Sequence, residues 1–338
     1  MKNAQPLFVF LVTAELLIVS VLIWQVITRI AGKTMSQNTT VIPMSRETLS
    51  FPKSQQYPHF FELPKAISAT ESATWLPHEV THTYNSDGLN DPFDYDTAKP
   101  PETFRIVTLG DSFTFGMWVP ASENYSERLE NMLNTKVSCP GISRFEVLNL
   151  GVPGYDIAYS TERFRTKGAK YSPDVLLWYI RDDDFFIINE EFYARTAFYQ
   201  KELESTGAAK RYGKIADGPD GAVNLAYKEI YRNNGKLDSA SRWEYTRPER
   251  EALRGFLSEY KLPVTVFTFS ETPEEYKSYI TEGIADLSNV SYFDDIKNVE
   301  TFHPYDYHPT PRGHAVIAEA LFTYLIRTNK ALAVCRNK

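Results

Sequence analysis

The chain has 338 residues, enough for one α/β domain with extensions or for two domains. Hydrophobic residues make up 43% and aromatic residues 14%, which excludes disorder over most of the length. A formal net charge of −7 with no long Lys/Arg cluster leaves no electrostatic footprint for a nucleic-acid backbone.

Residues 7–30, LFVFLVTAELLIVSVLIWQVITRI, are apolar over about the ~20 residues that a helix needs to cross a ~30 Å hydrocarbon core, which predicts a membrane span. Glu15 falls inside it, where an ionised carboxylate is costly, so it is expected to be protonated, near an interface or paired with another helix. A cleavable signal peptide is the rival reading. Against it, the apolar region is longer than the usual ~7 to 15 residues and no A-x-A site follows. Lys2 and the amino terminus are balanced by Arg29 and Lys33, so charge leaves the orientation open. A short tail, residues 1–6, ahead of a single span reads as placing the large domain outside the cytoplasm.

Residues 31–80 read as a stalk or linker, rich in Ser, Thr, Pro and Asn with isolated aromatics and no sustained period; loosely structured lead-in continues to about residue 101. Within it HTYNSDGLND (82–91) concentrates turn residues. Beyond Pro101 the pattern changes. RIVTLG (105–110), FEVLNL (145–150), DVLLWYI (174–180) and PVTVFTF (263–269) are near-continuous apolar runs, as strands buried on both faces of a parallel sheet should be. Helical stretches are expected at 125–134, 159–171, 247–260 and 311–328, the last with Val316, Ile317, Ala320, Leu321 and Leu325 at helical spacing. Alternating strands and helices imply a doubly wound α/β sandwich that binds ligands at the carboxyl ends of its strands. Residues 186–245, with Tyr193, Phe198, Tyr199, Tyr212 and Tyr231, break the alternation, as either a helical cap beside the site or a partly mobile insertion. Cys139 and Cys335 have neither zinc-type spacing nor a CxxC arrangement, leaving a disulfide and two unpaired thiols both open.

LGDSFTFG (109–116) directly follows the first strand. Ser112 there has an exposed hydroxyl and a backbone N–H free to bind an oxyanion, unless Asp111 and Ser112 merely cap a strand-to-helix turn. DYHPTPRGH (306–314) precedes the final helix. A serine hydroxyl needs a base, and His308 with Asp306 two residues upstream supplies base and orienting carboxylate from one loop; the alternative is a polar, helix-capping loop, with His314 on the helix surface.

GDSFTFG, NLGVPGYD (149–156) and DYHPTPRGH, in that order, resemble successive blocks of SGNH/GDSL-type hydrolases over roughly residues 81–328. YNSDGLND followed by FRIVTLGDSFTFG is also similar to a subgroup of envelope-associated members, in which an arginine commonly sits where this chain has Asn90. The resemblance implies a flavodoxin-like three-layer α/β/α sandwich with a mainly parallel sheet. It also implies a triad of Ser112, His308 and Asp306, and an oxyanion hole from the backbone N–H groups of Ser112 and Gly154. Gly151 is the weaker alternative, and Gly154 otherwise serves only the turn after Pro153.

The family's third block ends in an asparagine that donates to the oxyanion, whereas here the strand runs into RDDDF (181–185). Asp183 or, one residue earlier, Asp182 takes that place, and a carboxylate there repels developing negative charge unless protonated or turned away. Loss of one oxyanion donor typically costs ~10² to 10³ in rate. At least one of these aspartates is expected to pair with Arg181 or another basic group, or to cap the next segment. Adjacent carboxylates without EF-hand spacing are not read as a metal site, and no cofactor is implied. The expected activity is hydrolysis of a carboxylic ester, an acetyl group on an envelope or extracellular glycan or a lipid ester. Acyl transfer by the same triad, and a degenerate SGNH domain that binds glycan or protein at the membrane, are the alternatives.

Overall fold

Strands β1 (Thr103–Leu109), β2 (Arg144–Asn149), β3 (Val175–Tyr179), β4 (Val264–Phe269) and β5 (Val290–Ile296) pair in the order β5-β4-β3-β1-β2, every pair parallel. The computed structural model describes residues 34–35, 40–45, 48–205, 211–216 and 220–338. Among them no helix is long and apolar enough to cross a membrane, and the expected span at 7–30 lies outside the described residues. The strand order is that of a flavodoxin-like doubly wound sheet, in which the chain reverses direction between β1 and β3 and leaves a crevice at the carboxyl ends of the strands.

Among the described residues, α-helices run over α1 (Ser112–Phe115), α2 (Tyr125–Lys136), α3 (Ile157–Arg163), α4 (Asn189–Leu203), α5 (Gly221–Asn234), α6 (Ser239–Tyr245), α7 (Arg247–Glu259), α8 (Glu274–Ile284) and α9 (Pro311–Thr328). Side chains alternate along a strand, so β1 sends Phe104 and Ile106 to one face and Val107 and Leu109 to the other. The first face is covered by α2 and α9 through Leu129, Leu133, Ile317 and Leu321. The second is covered by α3, α7 and α8 through Ile157, Leu253, Phe256 and Ile280. Both faces are therefore dry, which is why the strands lack polar alternation. β5 was not expected: at the sheet edge its VSYFDDI sequence is only partly buried and shows no apolar run.

The described residues of 186–245 contribute α4, α5 and α6, and Phe192, Ala226 and Ile230 enter the second-face core. The N-terminal lead-in departs from expectation. Val41–Pro43, Ile67–Glu71 and Val80–Tyr84 form a three-stranded sheet, and Tyr57, Phe60, Phe61 and Leu63 are buried against Phe115, Tyr155 and Tyr159. Residues 48–80 are thus folded onto the domain and do not form a stalk, because these aromatics find apolar partners from distant elements that no local period reveals. Ionic contacts add to this. Arg163, fully buried, pairs with Glu62 and donates to the carbonyls of Leu150 (2.9 Å) and Gly88 (3.0 Å), while Lys167 Nζ lies 3.1 Å from the same Glu62 carboxylate.

Cys139 and Cys335 form a disulfide across 196 residues of sequence. Arg336–Asn337 pairs antiparallel with Val137–Ser138, so the last residues of the chain are fastened beside the connection from α2 to β2.

Candidate active site

β1 ends at the sheet's switch point, and the chain turns at once into the one-turn helix α1, whose first residue is Ser112. Asp111 caps it, accepting from the Phe113 amide at 2.9 Å. The neighbouring β2 exit passes very close: a Cβ at Gly151 would lie 2.2 Å from the Phe115 nitrogen, so only glycine lets this turn approach α1. Asn149 ties the two together by donating to the Thr114 carbonyl (2.9 Å) while its own carbonyl oxygen accepts from the Gly151 amide (2.9 Å).

The Asp306–His308 loop comes from the other side, before α9, which Thr310 caps through the Gly313 amide at 3.1 Å. His308 Nε2 lies 2.7 Å from Ser112 Oγ and His308 Nδ1 lies 2.5 Å from Asp306 Oδ1. The same Asp306 oxygen accepts from the His308 backbone N–H at 2.7 Å, so the two-residue spacing itself sets the imidazole's position. With Nδ1 donating to the carboxylate, Nε2 is the acceptor facing the serine hydroxyl. Burial pushes the Asp306 carboxyl up, but the hydrogen bonds and charge of His308, with the Trp118 indole, outweigh it and hold it below the usual carboxylate value. The carboxylate is therefore ionised at neutral pH. Such an arrangement can take a proton from Ser112 and stabilise the resulting imidazolium.

The remaining expected residues separate by role. Gly154 has φ +78° on an exposed turn closed by a 3.2 Å bond from the Tyr155 amide to the Val152 carbonyl; with Pro153 at the second position, this is what a type II turn requires. The Gly151 amide is already committed to Asn149, which removes it as a candidate oxyanion donor. Asp183 lies 3.1 Å from Arg181 Nε and accepts from the Tyr231 hydroxyl at 2.7 Å, so it is turned toward donors. Asp184 accepts from the Arg181 amide at 2.7 Å; burial, then Asp111 and Asp183, raise its carboxyl far above the ordinary value. Asp182 is raised by burial and by Asp183. His314, expected on the helix surface, is fully buried; its Nδ1 accepts from the Tyr125 amide at 3.2 Å, and burial lowers it to about 3, so it is a neutral core residue.

Three contributors were not singled out for the site. The Arg181 guanidinium lies 4.3 Å over the ring of Phe113, which also packs 4.8 Å from the His308 ring. A cation therefore packs on the residue next to Ser112, offsetting Asp111, which burial and Asp183 push up to about 6. Trp118 Nε1 donates to Asp306 Oδ2 at 3.1 Å, and the Trp118 amide donates to Glu71 Oε2 at 3.1 Å. Trp118 has φ +68°, a conformation that costs a bulky residue ~1–3 kcal/mol. No short-range sequence pattern announces any of these.

A separate cavity of about 520 Å³ is lined by Tyr57, Asp156, Tyr159, Arg165, Glu190 and Glu249 among others. Asp156 at the start of α3 accepts from the Tyr159 amide (2.7 Å), and Glu249, reaching across from α7, accepts from the Ala158 amide (2.8 Å). Burial pushes Asp156 up to about 6, and burial with the Asp156 charge raises Glu249 well above its ordinary value. The folded state therefore keeps protons that the unfolded chain releases, and the associated stability is lost as pH rises through about 6. Thermal melts are expected to give a higher Tm at pH 5 than at pH 7.5, with the difference reduced in Glu249→Gln; a flat profile would refute this.

The sequence matches no family model and no curated protein. Among solved structures, it is similar to a psychrotrophic esterase from Pseudoalteromonas sp. (11% identity, TM-score 0.39, covering 66% of this chain and 97% of that one). It is also similar to a catalytic mutant of an acetylxylan esterase from Geobacillus stearothermophilus (14% identity, TM-score 0.37, 65% and 93%). A two-domain esterase active on acetylated mannans matches at 14% identity and TM-score 0.35, over 68% of this chain and 50% of that one. Structures described as GDSL-like lipases from Bacteroides species also match.

Proposed function

We propose that the chain is a serine esterase of the SGNH type that cleaves a carboxylic ester, an acetyl group on an envelope or extracellular glycan or a lipid ester. Ser112 Oγ attacks the ester carbonyl while His308 Nε2 takes its proton; His308 then returns the proton to the leaving alkoxide, and water repeats the cycle on the acyl-enzyme. Asp306 holds the imidazole in the required tautomer. The backbone N–H groups of Ser112 and Gly154 receive the oxyanion. Asp183, engaged by Arg181 and Tyr231, is an acceptor and supplies no proton to it. The observation that carries this reading is the 2.7 Å contact between His308 Nε2 and Ser112 Oγ, with Asp306 on the opposite ring nitrogen.

Residues 7–30 anchor the chain in a membrane, with the domain on the extracytoplasmic side; the disulfide supports that side, since such bonds persist in oxidising compartments. A fluorophosphonate tests the nucleophile. Incubation of the full chain is expected to add one phosphonyl group at Ser112, mapped by peptide mass spectrometry, with none added to Ser112→Ala. An unlabelled but folded wild-type chain would sink the proposal and favour a binding role.

A further inference from the structure

We propose that Trp118 is a positioning residue for Asp306 and that Glu71, in the lead-in hairpin at 67–84, sets its position. This rests on the reading of Ser112, His308 and Asp306 as a triad. Asp306 Oδ1 is occupied by the imidazole and the backbone N–H of His308. A carboxylate held through one oxygen alone still rotates about its Cβ–Cγ bond; the Trp118 indole N–H on Oδ2, at 3.1 Å, fixes its plane. An indole N–H only donates, so it holds the carboxylate as an ionised acceptor and cannot take its proton.

Trp118 reaches Asp306 from a left-handed backbone conformation, φ +68°, that a bulky side chain seldom adopts. Glu71 holds it there. Glu71 Oε2 accepts the Trp118 amide at 3.1 Å and also lies 2.9 Å from His82 Nε2, with both Glu71 and His82 buried. Trp75 packs against the indole in a T-shaped contact, at 5.3 Å between ring centroids.

The same lead-in also reaches the end of α1. The His82 ring packs 4.6 Å from Phe115, the last residue of α1, and Asn90 donates to the Phe115 carbonyl at 2.8 Å. One buried polar cluster thus braces α1, which carries Ser112, and, through Trp118, the carboxylate that orients His308. Residues 67–90 are in this sense part of the catalytic apparatus, although none of them touches the reacting atoms.

The test uses the full chain with p-nitrophenyl acetate. Trp118→Phe keeps a ring against Trp75 and removes the donor; it is expected to lower kcat roughly 10- to 100-fold with KM unchanged. In an Asp306→Ala background the same substitution is expected to cost nothing further, because its acceptor is gone. Trp118→His, whose imidazole can donate, is expected to recover part of the loss, and Glu71→Ala to lower kcat non-additively with Trp118→Phe. Equal losses from Trp118→Phe in both backgrounds, or an unchanged kcat, would show packing alone and overturn the role. Absence of any Ser112-dependent turnover in wild type would instead bring down the esterase reading, and this role with it.

Discussion

Ser112→Ala is expected to lower kcat/KM for p-nitrophenyl acetate by at least ~10⁴-fold, His308→Ala by about as much, and the double variant by no more than either. In the proposed triad nucleophile and base act as one unit: without the imidazole 2.7 Å away the hydroxyl keeps its proton, and without the hydroxyl the imidazole has nothing to activate. Steady-state rates of the purified variants, with folding verified by melting temperature, decide the matter. Single losses that multiply in the double variant would mean that the two side chains act independently, which a triad does not allow.

The second large effect concerns stability. Glu62→Ala is expected to destabilise the fold by ~3–5 kcal/mol, since it strands two buried cations, Arg163 and Lys167, in place of one compensated cluster. Burial already lowers the Lys167 ammonium to about 8, although Glu62 pulls it the other way. For a chain of this size the loss corresponds to a fall in Tm of roughly 4–7 °C. Glu62→Gln, which keeps an acceptor, should fall between the two. A Tm within a degree of wild type for Glu62→Ala would mean that the cluster contributes nothing net.

What could be read in advance follows physical locality. β1 to β4 were legible because strands covered on both faces must be apolar at every position, and Ser112, Asp306 and His308 stood out as candidates because each sits in a short motif at the end of such a strand or the start of a helix. β5 was hidden because an edge strand tolerates Asp294 and Asp295. The lead-in was misread for a different reason. Tyr57, Phe60 and Phe61 have no period of their own and gain their burial from Tyr155 and Tyr159, about a hundred residues away in sequence. Trp118 depends on two long-range partners and on a backbone conformation that propensity disfavours, so no reading of its neighbours could assign it. Arg181 was legible only as a partner for an aspartate; its place on Phe113 is tertiary.

The bond between Cys139 and Cys335 makes the polypeptide between them a closed ring that holds His308, Asp306 and the α4–α6 cap, while Ser112 lies on the tail outside it. A protease that severs one peptide bond anywhere in the ring opens it without releasing a fragment. Such a nicked molecule runs as one species on a non-reducing gel and as two after reduction, and because both pieces remain tethered, Ser112 and His308 retain the means to meet again after denaturant is withdrawn.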